Sequence, residues 1–138
     1  LSAATPLSST ENTRGYMKIS YDKKYIVSTY HPVEPYFFEV GKFNDTTGKV
    51  NILYYSTKVD SQGRTLFPFG IEFSRDSKLS YIAYSTKDND VEIYQYEMKY
   101  IEDHVQFAQS AIKVGKGPGI GLQLARDGKI YCSYPLSE

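Results

Sequence analysis

Apolar and polar positions alternate along much of this chain, with a period of two residues. Ile71 and Phe73 occupy alternate positions, and so do Leu122 and Leu124. This is the pattern of a strand with one face turned inward. Each short alternating stretch ends in an Asp-centred turn, and Asp127-Gly128 suits the positive φ angles of a tight hairpin. A second strand is predicted directly after each turn, over Tyr25 to Tyr30, Leu79 to Ser85, and Lys129 to Tyr134. Third strands are predicted over Tyr36 to Phe43 and Val91 to Met98. Fourth strands follow over Lys49 to Ser56 and His104 to Val114. Tyr100 to Ala111 also has some helical character, but its place in the pattern favours a strand.

The alternation belongs to an internal repeat. Gly70-Ile71-Glu72-Phe73-Ser74-Arg75-Asp76-Ser77-Lys78-Leu79 aligns with Gly121-Leu122-Gln123-Leu124-Ala125-Arg126-Asp127-Gly128-Lys129-Ile130. A third copy runs from Tyr16 to Tyr25 through Asp22, with Gly15 just before it. The copies start at 16, 70 and 121, a period of 51 to 54 residues. Four antiparallel strands per period of this length is the pattern of a β-propeller blade. The second strands agree, because Leu79-Ser80-Tyr81-Ile82-Ala83-Tyr84 carries apolar residues on both faces. A sheet covered on one side alternates more cleanly, whereas a blade is covered on both.

The expected fold is therefore all-β, a propeller segment of about two and a half four-stranded antiparallel blades. Residues 1–14 are read as the end of a preceding blade or a loose N-terminus. Blades are placed at 15–66 and 67–116, and 117–138 as the first hairpin of a further blade. The turns are Asn44-Asp45-Thr46-Thr47-Gly48, Asp60-Ser61-Gln62-Gly63 and Lys87-Asp88-Asn89-Asp90, all rich in residues that bond their own backbone. Gly115 to Gly119 connects one blade to the next.

The hairpin Phe73-Ser74-Arg75-Asp76-Ser77-Lys78 resembles the first hairpin of WD-like propeller repeats, usually Phe-Ser-Pro-Asp-Gly-Lys. Proline is absent from all three copies, where Tyr21, Arg75 and Arg126 stand instead. Phe38 to Val50, Ile93 to Tyr96 and Leu122 to Tyr131, in that order, are similar to propeller regions of large cell-surface proteins of gliding and related Gram-negative bacteria. The likeness covers roughly residues 15 to 135. Such proteins often carry a C-terminal sorting domain for type IX secretion, so the resemblance implies an extracellular or cell-surface location.

Composition sharpens the reading. The chain has 138 residues, with 16 Lys plus Arg against 16 Asp plus Glu. Zero net charge argues against a uniform field for nucleic acid or for an anionic membrane. No apolar run approaches the roughly 18 residues that span a bilayer. Cys132 is the only cysteine, so no internal disulfide forms.

Motifs of chemistry are sparse. There is no Gly-x-Ser-x-Gly elbow, no His-Glu-x-x-His, and no Gly-Lys followed by Ser or Thr. His31 and His104 could each ligate a metal with a distant carboxylate, but isolated histidines are more often surface or packing residues. Asp88-Asn89-Asp90 offers oxygen ligands for calcium yet lacks the glycine and closing Glu of a dedicated loop. Asp22, Asp76 and Asp127 recur at one repeat position, as turn-bonding carboxylates would. Cys132 falls within a strand, where a small apolar side chain packs well. Asn44-Asp45-Thr46 fits a glycosylation acceptor.

Tyrosine is abundant, with 14 Tyr and 7 Phe against no Trp. Tyr54, Tyr55, Tyr94, Tyr96, Tyr100 and Tyr134 either pack within the sheets or grip a protein or sugar at the surface. No catalytic, cofactor-binding or metal-binding residue is assigned, and no cofactor is expected. The expected role is a non-catalytic scaffold or binding module that engages protein or glycan through face loops. The alternatives are a lactonase-like propeller enzyme with a metal in its channel, or a structural spacer. The ring would be completed by further blades of the same protein or by self-association.

Overall fold

The computed structural model describes residues 15–30, 37–56, 63, 65–88, 90–117 and 119–133. The first sheet holds β1 (Met17–Ile19), β2 (Tyr25–Tyr30), β3 (Phe37–Phe43) and β4 (Val50–Tyr55), in that spatial order. The second holds β5 (Phe67–Phe73), β6 (Leu79–Ser85), β7 (Val91–Glu97) and β8 (Ile112–Gly117), again in order. β9 (Leu122–Leu124) and β10 (Ile130–Cys132) form a further hairpin. Every pairing is antiparallel. β5 touches both β1 or β2 of the sheet before it and β9 of the hairpin after it. The sheets therefore stack in chain order with their first strands side by side, as blades do.

The turn chemistry behind this order repeats. In the first turn Ser20 Oγ donates to Asp22 Oδ1, Asp22 Oδ1 accepts the Lys24 N–H, and Ser20 Oγ accepts the Tyr25 N–H. Ser74, Asp76, Lys78 and Leu79 repeat that set, and Asp127 accepts the Lys129 N–H. One residue in each turn has positive φ: Lys23 at 59°, Ser77 at 59° and Gly128 at 81°. Pro68 lies where the β5–β6 ladder shifts register, a place where a strand tolerates a missing N–H.

One predicted strand is corrected. His104 to Val114 does not run as a fourth strand. Met98–Tyr100 is a 3-10 turn, α1 spans His104–Gln109, and β8 begins at Ile112. Asp103 caps the helix by accepting the N–H groups of Val105 and Gln106. Phe107, fully buried, then stacks on Tyr96 and meets Tyr54 edge-on. An aromatic anchor and a cap outweigh strand position here.

The main core lies between the first two sheets. Val27, Phe38, Val40 and Tyr54 of one face Ile71, Phe73, Ile82, Tyr84 and Tyr96 of the other. A smaller cluster of Ala83, Val91 and Leu122 joins the second sheet to the hairpin.

Candidate functional site

The inner strands carry one polar residue per repeat, at Lys18, Glu72 and Gln123, each between two apolar neighbours. Glu72 is fully buried. Its Oε2 accepts the Lys18 ammonium at 2.5 Å and the Leu124 N–H at 2.6 Å. Its Oε1 accepts the Phe73 N–H at 2.8 Å and the Tyr21 hydroxyl at 3.5 Å. The donors come from all three sheets, so this one carboxylate ties them together at the inner edge. A carboxylate so engaged is fixed in orientation, and it has little capacity left for a substrate.

In the first two turns the residues that replace proline also reach forward. Tyr21 meets Glu72 of the second sheet, and the Arg75 guanidinium donates to the carbonyls of Ala125 and Arg126 at 3.5 and 3.2 Å. Ser77 Oγ accepts the Asp22 N–H at 3.0 Å. Turn meets turn from blade to blade, so the end that carries the Asp turns is a continuous, ordered face.

Two adjoining clefts open on this face and share Asp22 and Lys24. The first, about 520 Å³, lies between the β1–β2 and β3–β4 turns. Lys23, Lys24, Lys42 and Lys49 line it against Asp22 and Asp45, with Phe43 and Val50 as apolar wall. The second, about 570 Å³, runs between the first two sheets toward Met98 and Lys99. Several lysines have carboxylate neighbours: Lys24 to Asp22 and Lys78 to Asp76 at 3.6 Å, Lys42 to Glu102 at 3.7 Å, and Lys99 to Glu97 at 2.5 Å. The Ser74 hydroxyl and the Lys78 N–H hold the Asp76 carboxyl below its usual range. For Asp22, partial burial pushes upward, and hydrogen bonds from Ser20 and Lys24 outweigh it, so its pKa is also lowered.

The residues singled out from sequence are scattered rather than convergent. His31, Asn89 and Tyr134 lie outside the described residues. His104 is exposed at the start of α1, edge-on to Tyr54. Asp88 and Asp90 are exposed on a cleft of about 320 Å³ at the opposite end, together with Thr86 and Glu92. Among the described residues, no group of three or more His, Cys, Asp or Glu is placed to hold a metal. The half-buried Cys132 donates its thiol hydrogen to the Gly119 carbonyl at 2.6 Å. The tyrosines pack within the sheets: Tyr54 and Tyr96 are buried, Tyr94 and Tyr100 are half-buried against the same core, and Tyr55 is exposed. Tyr84 and Tyr96 share a hydroxyl–hydroxyl bond of 2.7 Å, and Tyr94 donates to Glu92 at 3.0 Å. Burial is the main cause raising the pKa of both Tyr84 and Tyr96, the latter to beyond the usual phenol range.

Three buried glutamates escaped the sequence reading. Besides Glu72, Glu92 accepts the Lys113 ammonium at 2.6 Å. Glu39 lies on β3 against Tyr30; burial raises its pKa and the Tyr30 hydroxyl acts in the opposite direction. No local signal marked them: Glu72 occupies the polar position of the Ile71-Glu72-Phe73 alternation, where a solvated charge is expected.

No protein-family model matches the chain, and no curated protein matches it in sequence. A crystal structure from Bacteroides uniformis, of a protein provisionally assigned as a 6-phosphogluconolactonase, matches 84% of the chain with a TM-score of 0.53 and 19% sequence identity. The chain spans 32% of that protein's length. At this identity the likeness is one of fold. Together with the stacked four-stranded sheets, it shows an all-β propeller segment of about two and a half blades.

Proposed function

We propose that this chain is part of a non-catalytic propeller in a bacterial surface or secreted protein, whose Asp-turn face engages a protein or glycan. The observation that carries this reading is Glu72. The carboxylate best placed for inner-edge chemistry is bound by four donors from three sheets, while the open clefts lie on the turn face. The sequence resemblance to surface propellers supports the location.

A second reading, a propeller enzyme of the lactonase kind, is favoured by the fold likeness to the Bacteroides uniformis protein. One pair of assays separates them. The 138-residue chain is screened on glycan and protein arrays, and is incubated with a δ-lactone, with and without divalent metal, while acid release is followed. Array binding without lactone turnover is the expected result. Turnover above the spontaneous rate, abolished by chelation, would replace the binding reading with the enzymatic one.

A further inference from the structure

The geometry points to the cleft between the β1–β2 and β3–β4 turns as a binding site for an acidic carbohydrate, one bearing carboxylate or sulfate groups. The inference deepens the proposed binding role and rests on it.

Three observations converge. First, four ammonium groups, of Lys23, Lys24, Lys42 and Lys49, border one cleft of about 520 Å³ against two carboxylates, Asp22 and Asp45, in a chain whose net charge is zero. Asp22 Oδ1 is already engaged by Ser20 and Lys24 within its own turn. Among the described residues, neither Lys23 nor Lys49 makes an ion pair. Positive charge at this cleft is therefore partly uncompensated, and a low-dielectric wall on one side strengthens its field.

Second, Lys23 stands at φ 59°, where the third repeat has Gly128. A side chain in this region costs roughly 1–2 kcal/mol. Ser77, at the same position of the second repeat, has a structural reason, since its hydroxyl receives the Asp22 N–H. Lys23 has no such side-chain partner among the described residues. An unfavourable backbone that carries an unpaired cation at a cleft rim points toward a ligand.

Third, the polar groups suit a sugar. Asn44 Oδ1 accepts the N–H groups of Thr46 and Thr47, so what it offers to the cleft is its amide NH2. Asn51 lines the same cleft, and Phe43, half-buried, provides an apolar surface. Cations for the acid groups, amides for hydroxyls and a flat apolar patch for a ring face are the needs of an acidic sugar.

Affinity electrophoresis of the 138-residue chain tests this. Gels contain polygalacturonate, dextran sulfate or neutral dextran, which separates carboxylate from sulfate recognition. Retardation is expected in one or both polyanion gels and not in dextran. The double variant Lys23→Ala/Lys49→Ala should bind roughly tenfold more weakly, as expected for two exposed ionic contacts. Lys116→Ala, an exposed lysine on β8, removes charge elsewhere and should leave retardation unchanged. Circular dichroism confirms that each variant is folded. Equal retardation of all variants, or none in either polyanion, overturns the proposal. Binding to a neutral glycan or a protein on the arrays, without polyanion retardation, overturns it while leaving the binding-module reading intact.

Discussion

The two joints between successive sheets come from one repeat and are packed very differently. The first joins sheet to sheet through Phe38, Tyr54, Tyr84 and Tyr96, with Phe107 of α1 inserted among them. The second has Ala83, Val91 and Leu122 at its centre, ringed by half-buried Tyr81, Ile93, Ile120, Ile130 and Cys132. Repetition sets the strand order and the turn, and the size of each joint is a separate matter. The first is enlarged by a helix in the β7–β8 connection that the repeat pattern does not contain.

Truncation at the centre of each joint breaks this comparison most directly. Phe38→Ala should destabilise the chain by about 3–5 kcal/mol, since it removes a fully buried ring from three aromatic contacts. Leu122→Ala should cost about 2 kcal/mol, the low end for a buried leucine, because its neighbours are half-exposed and can close in. Urea unfolding followed by tyrosine fluorescence measures both. Equal losses would mean that the joints are energetically alike despite their packing.

Glu72 is common to both joints, and its loss should be the next largest. Glu72→Gln keeps the shape but removes the charge that Lys18 and the Leu124 N–H meet. The expected cost is about 2–3 kcal/mol. Glu92→Gln should cost less, about 1 kcal/mol, because its Lys113 partner lies in the same sheet with a side chain 36% exposed. A broader unfolding transition for Glu72→Gln than for Glu92→Gln would mark it as the group that couples the sheets. The same breadth in both would argue against that role.

The fold was legible in sequence for reasons that locate where legibility ended. Asp22, Asp76 and Asp127, each two residues before a lysine, marked the turns because their bonding is local. Alternation at Ile71 and Phe73 marked the inner strands because burial there has period two. Non-local facts were hidden. Nothing near Phe107 reveals that Tyr54, far back in the chain, awaits it. Glu72 reads as one more solvated charge until Lys18 and Leu124 are placed beside it. The cleft lysines belong to two turns and to the end of β3, and proximity between turns is not written in either of them.

The tyrosines of the first joint provide a smaller test. Tyr96→Phe removes the hydroxyl that Tyr84 bonds at 2.7 Å and leaves the ring stack on Phe107 in place. About 1 kcal/mol of stability should be lost. Phe38→Ala exceeds this severalfold if ring packing, rather than hydroxyl pairing, dominates the joint.

The smallest effect compares the turns themselves and has the opposite sign. Lys23→Gly relieves a side chain from the left-handed region, worth roughly 1–2 kcal/mol, and loosens the unfolded chain by about 0.4–1 kcal/mol. A net gain of about 0.5–1 kcal/mol should appear as a higher urea midpoint. Ser77→Gly relieves the same strain but deprives the Asp22 N–H of its acceptor, which offsets the gain by about 1 kcal/mol. Its midpoint should stay near or below that of the parent. The contrast assigns the two residues different reasons for occupying one backbone position, a joint for Ser77 and a ligand for Lys23. A Lys23→Gly chain that is more stable and less retarded in the polyanion gel would tie the strain to binding. If Lys23→Gly is not stabilised, that strain argument falls.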